Sequence, residues 1–141
     1  MSTPVAIPVD LQPLQRALER AGVEVRIAPP PRQGVYGLYQ PRHRRLWVAP
    51  ITGPLGIFRA TYLHEAVHAA QACSPSGATP LGIKTALTPV IRRRVQSLLF
   101  SNYSHGQSAL EREAFEIQGR SDAVPLLIRQ LNQRCNLQGR R

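Results

Sequence analysis

The chain has 141 residues and 43% hydrophobic content, enough to bury one core and too apolar for a disordered polymer. Its net charge of +10 comes from 17 arginines and a single lysine, Lys84, set against only eight carboxylates. No run approaches the roughly 20 apolar residues of a membrane span. The opening MSTPVAIPVDLQ lacks the basic start and apolar stretch of a secretory signal, so an intracellular, cytoplasmic protein is expected.

Leu11, Leu14 and Leu18 recur at helical spacing and Gly22 supplies a stop, predicting a first helix over Leu11–Ala21. Val23–Ile27 alternates apolar and charged residues, the period of a half-buried strand. After the loop APPPRQG, Val35–Tyr39 and Arg45–Ala49 read as two more strands, joined by a basic turn through Pro41 and His43. Together they predict a small, mostly antiparallel sheet.

Beyond a second Pro/Gly loop, APITGPLG, the period changes and Ile57–Cys73 fits a long helix. SPSGATPLG is a loop again. Thr88 and Pro89 then read as a cap and a first-turn proline for a helix reaching about Phe100 through Ile91, Val95 and Leu98. SNYSHG breaks it. Gln107–Gln118 follows as a helix ended by Gly119, and Ser121 is expected to cap a last one through Leu126, Leu127 and Leu131 to about Arg134. Pro125 falls in its first turn, where a missing N–H is tolerated. Helix, sheet, then four helices make an α+β domain over residues 1–141.

Cys73 and Cys135 are too few and too far apart for a disulfide framework or a metal knuckle, and are expected to be reduced, largely buried thiols. The arginines are dispersed, with small knots at Arg42/Arg44/Arg45, Arg92–Arg94 and Arg140/Arg141. No aromatic-interleaved RNA signature or helix-turn-helix spacing accompanies them, so specific nucleic-acid recognition is not expected, and a general preference for acidic surfaces fits the dispersed charge better.

The long helix carries the chemistry. Its Ala60, Leu63, Val67 and Ala70 form one apolar stripe, while His64 and His68 share a neighbouring stripe that Gln71 continues. Two imidazoles one turn apart can reach a single tetrahedral zinc, and Glu65, about 100° around the helix, can lean over a water without ligating the metal. This is the mechanics of HExxH, with Glu65 as general base. A catalytic zinc needs a third protein ligand. The choices are His43, His105 and the cluster Glu111, Glu113 and Glu116, which gathers three of the eight carboxylates within six positions. Glu111 and Glu113 lie about 200° apart on a helix, so only one of them can face the metal.

LHEAVHAAQ, followed about forty residues later by LEREAFEIQ, resembles the gluzincin branch of zincin metallopeptidases. Members carry HExxH on one helix and a glutamate ligand on a later one, often in an ExxA context, which Glu111-Arg-Glu-Ala114 matches. The resemblance implies a zincin-like fold and Zn2+ held by His64, His68 and Glu111, with Glu113 the alternative third ligand. It implies a peptide or protein substrate, bound along the sheet edge, for which Arg45–Ala49 is the expected strand. Phe115 stands where such families often place an acidic or amide partner. Tyr103 or His105, just before the Glu111 helix, is expected to donate to the developing oxyanion. The alternative role is a catalytically silent zincin-fold module that docks on a larger acidic protein through its basic surface.

Overall fold

In a computed structural model, which describes residues 7–85, 93 and 108–135, a 3-10 turn over Val9–Leu11 runs directly into helix α1, Gln12–Arg20. Leu11, Leu14 and Leu18 are fully buried, as their spacing predicts. The stop at Gly22 has a definite geometry. Gly22, at φ 85°, donates to the Glu19 carbonyl at 3.0 Å, and Val23 donates to the Leu18 carbonyl at 2.9 Å. That pairing closes the helix in a Schellman motif and turns the chain into the first strand.

The strands are β1 (Glu24–Ile27), β2 (Gly37–Gln40) and β3 (Arg45–Val48), in the order β1-β3-β2. Antiparallel pairing holds only between β2 and β3; β1 lies parallel to β3, so the sheet is mixed. Alternation fixes which face each residue takes but is silent on which neighbour a strand chooses. Here residues 28–36 carry the chain past the position later filled by β3. The expected edge strand, Arg45–Ala49, is accordingly the central one, and β2 is the edge that lies against the long helix.

That helix, α2, spans Phe58–Gln71. It is buried from Tyr62 to Val67 and again from Ala69 to Gln71, with β2 and β3 on one side and two later helices on another. Those helices are α3 (Ser108–Gln118) and α4 (Ala123–Arg134). Ala66, Ala69, Ala70 and Ala114 are fully buried, and these small side chains let α2 and α3 run close together. Helix α4 closes the core with Leu127 and Leu131 and also packs on α1. Its N-cap is Asp122, without a side-chain capping bond, and not Ser121. Asp122 is instead held by Arg120 through two hydrogen bonds of 2.7 and 2.9 Å. Of the helix expected from Thr88 to about Phe100, only Arg93 is among the described residues, and it is helical.

Cys73 and Cys135 form a disulfide, their Cα atoms 5.2 Å apart. The expectation of two reduced thiols is corrected. Cys73 lies just past the end of α2, after Ala72, and Cys135 directly follows α4; the fold brings those ends together across a sequence separation of 62 residues. Among the described residues no helix is long and apolar enough to cross a membrane. The bridge gives no support to the cytoplasmic default, because disulfides persist mainly in oxidising compartments.

Candidate metal centre

His64 and His68 project from the side of α2 that meets α3, and Glu111, in the first turn of α3, meets them there. One carboxylate oxygen of Glu111 lies 3.0 Å from His64 Nε2 and the other 2.9 Å from His68 Nε2. The two Nε2 atoms are 3.3 Å apart. Among the described residues these three side chains form the group of His, Cys, Asp and Glu that could hold a metal ion, their ligand atoms all within 4.8 Å of one another. His64 and Glu111 are buried and His68 nearly so.

The far nitrogens decide what the near ones can do. His64 Nδ1 lies 2.8 Å from Gln118 Oε1, and His68 Nδ1 lies 2.8 Å from Gln71 Oε1. With each Nδ1–H donating to an amide oxygen, each Nε2 of a neutral imidazole presents a lone pair. Two lone pairs and a carboxylate then converge on one point, an arrangement of acceptors that calls for a cation. The spacing agrees: zinc–nitrogen bonds of about 2.0–2.1 Å at the tetrahedral angle set two ligand nitrogens about 3.3–3.4 Å apart.

The alternative ligand is engaged elsewhere. Glu113 accepts from Gln71 Nε2 at 2.9 Å and from the backbone amides of Leu81, Gly82 and Ile83 at 2.7, 2.9 and 3.2 Å. It and Glu111 are both buried, on opposite sides of α3, which excludes a solvated charged face at either position. His43 and Glu116 are not in the cluster; His43 is exposed in the β2–β3 turn. Tyr103 and His105 lie outside the described residues.

Glu65 stands beside the cluster, buried against β2. Burial pushes its carboxyl above the usual range and the charge of Glu111 adds to the rise, against the pull of His64 and His68 and a hydrogen bond from the Tyr39 backbone amide. For His68, burial pushes the imidazole down, but the hydrogen bond and charge of Glu111, with Glu65 and Gln71, leave it raised. Burial likewise opposes ionisation of Glu111, yet hydrogen bonds and charge from both histidines bring it down to about 2. Charge in the cluster is thus shared among three coupled groups.

Two residues of this arrangement escape a reading of the motif alone. Gln118 follows Glu111 by seven positions, so a carboxylate, Phe115 and an amide fall on one helical face; that spacing was the available signal. Phe115 itself meets the His64 ring edge-on, centroids 4.6 Å apart, and the amide expected near position 115 comes from one turn further on. Gly37 is the other, a strand residue packed on Glu65 with nothing in its sequence context to mark it. Compared with known proteins, the chain matches no family model, no curated protein and no solved structure.

Proposed function

We propose that the protein is a zinc-dependent peptidase of the zincin type, with His64, His68 and Glu111 as metal ligands. One observation carries the reading: two imidazole Nε2 atoms and a carboxylate lie close enough together to share one ion, with a buried glutamate on the same helix as the histidines. When bound, zinc would supply a Lewis acid for a carbonyl and bring the pKa of water in its open position to about 7.

The chain's own residues would do the rest. Glu65 takes the proton as water attacks and hands it to the departing amine. Its raised proton affinity suits that exchange better than an exposed carboxylate would. Its position at the β2 edge, where Tyr39 N–H reaches it, sets it beside the strand along which an extended substrate would pair. Gln118 and Gln71 keep both imidazoles in the ligating tautomer.

The test is metal analysis of the purified protein together with Glu65→Gln. About one tightly bound zinc is expected, retained in E65Q, while hydrolysis of a mixed peptide library falls about a hundredfold or more. Absence of zinc after purification without chelator and after zinc supplementation would end the metal reading. Equal, background hydrolysis by both proteins would end the peptidase reading and favour a docking module.

A further inference from the structure

Glu113 is a buried carboxylate on the metal-facing helix that ligates nothing. Four donors surround it: Gln71 Nε2 and the successive backbone amides of Leu81, Gly82 and Ile83. Gly82, at φ 82°, takes the left-handed turn that lets neighbouring amides point to one side, the geometry of a backbone anion nest. Such a carboxylate has only acceptor capacity, so every group that faces it must donate.

This has a consequence at Gln71. An amide can be placed with oxygen and nitrogen exchanged, and the hydrogen-bond partners decide which is right. Gln71 Nε2 faces two acceptors, Glu113 Oε1 at 2.9 Å and the Leu110 carbonyl at 3.1 Å. Its nitrogen must therefore lie on the α3 side and its oxygen toward His68. The oxygen accepts from His68 Nδ1, which leaves His68 Nε2 with the lone pair aimed at Glu111 and His64. The order of donors and acceptors runs without a break from the 81–83 amides through Glu113 and Gln71 to the ligand nitrogen.

We propose that Glu113 is a positioning residue of the metal centre: by accepting from Gln71 it orients that amide, and through it fixes the proton of His68 on Nδ1. The proposal rests on the metal reading above for its purpose, but its hydrogen-bond content is independent of any ion. It also explains why two carboxylates two positions apart are both buried. Glu111 faces the imidazoles, and Glu113 sets the polarity of one of them from the other side of the helix.

The experiment is imidazole 1H–15N spectroscopy on labelled wild-type, Glu113→Gln and Gln71→Met proteins, first metal-free at a pH where both ring nitrogens carry protons, then with zinc. In metal-free wild type, the Nδ1–H protons of His64 and His68 should both be protected from exchange. E113Q and Q71M should each lose protection at His68 and keep it at His64, whose Nδ1 faces Gln118; a merely structural loosening would take both. Zinc affinity, measured by chelator competition, should fall about tenfold or more in each single variant. In the double variant it should fall no further than in Q71M alone, since the two act in series.

Retention of the protected His68 proton in E113Q would overturn the proposal, as would additive losses of zinc affinity. If E113Q does not fold, Q71M leaves Glu113 and its nest intact, and a protected His68 proton there overturns it equally. A wild-type protein that takes up no zinc would sink the metal reading alone and leave the exchange measurement decisive for Glu113.

Discussion

Gly37 has room for no side chain because Glu65 and Thr61 occupy the space one would take. A Cβ there would lie 2.7 Å from Thr61 Cγ2, 2.9 Å from Glu65 Cγ and 3.0 Å from Glu65 Oε2. Thr61 is β-branched and stiff on its helix, so Glu65 is the group that must give way. Gly37→Ala should cost about 1–3 kcal/mol in denaturant unfolding, as overpacking does. On the peptidase reading, zinc should be retained, and hydrolysis should fall further than the stability loss accounts for. Normal turnover in a destabilised G37A would show that Glu65 need not sit where β2 holds it. The imidazoles lead to a second expectation, on pH. His68 is raised in the metal-free fold, so the stability it contributes is present below its ordinary value of 6.5 and is lost as pH rises through the folded value. The raised Glu65 acts in the same direction, from below its ordinary 4.5. Glu111, lowered to about 2, contributes stability above 4.5 that disappears as pH falls through about 2. Metal-free protein should therefore lose thermal stability as pH climbs above about 6.5, whereas zinc needs neutral imidazoles and should reverse that limb. Melting curves with and without zinc across that range check it; parallel curves would contradict the coupling. At this scale the sequence was informative about the three side chains that cluster and poor on their supports. HExxH announces itself by spacing within one helix, and ExxA points to Glu111. Gly37, Gln118 and the tie between Glu113 and Gln71 depend on which segments meet across the fold, and local periodicity carries no record of that.

Among the elements, α2 departs furthest from its sequence expectation. An apolar stripe beside a histidine stripe predicts an amphipathic helix, but α2 is covered on nearly all sides from Tyr62 to Gln71. Its polar face is not the solvated one. His64, Glu65 and Gln71 are buried because α3 and β2 supply hydrogen-bond partners, so polarity here marks the site and not the surface. The strands were legible as strands, since alternation survives in β1 as Glu24 and Arg26 out, Val25 and Ile27 in. Their order was not, because a four-residue strand carries no label for its neighbour. The disulfide was hidden for a related reason: it joins helix ends, and ends meet only once packing is known. It closes a loop that contains α3 and the 81–83 segment, and the residue before its second cysteine, Arg134, also holds that loop through the Thr79 and Pro80 carbonyls. On a chain-entropy estimate, a loop of this length is worth about 4 kcal/mol. The Cys73→Ser/Cys135→Ser pair should lower denaturant stability by about that amount. On the metal reading, zinc affinity should weaken with it, because Gln71 lies two residues before the bridged Cys73 and residues 81–83 lie within the loop the bridge closes. A double variant as stable as the parent would mean the bridge constrains little beyond the packing already there.

For the molecule as a whole, burial redistributes the charge. Glu65, Glu111 and Glu113 are drawn into the site, so five of the eight carboxylates remain to balance the 14 basic residues described, none of which is buried. Three of those five are already paired: Glu24 with both Arg26 and Arg45, Asp10 with Arg59, and Asp122 with Arg120. The surface of the described residues is thus more cationic than their overall balance of 14 basic and eight acidic side chains conveys. A field of that sign raises the encounter rate with acidic chains, and it is screened within a Debye length of about 10 Å at 0.1 M salt. It would add nothing to the chemical step proposed above, whose groups are buried. On the peptidase reading, acidic peptides should be cleaved with a higher kcat/KM than neutral ones of equal length. That advantage should shrink severalfold between about 0.05 and 0.5 M salt while kcat stays level. Paired acidic and neutral fluorogenic peptides assayed across that range would measure it. A salt-independent preference would place the selectivity in contacts along the β2 edge instead, and no preference would leave the arginines to a partner other than substrate.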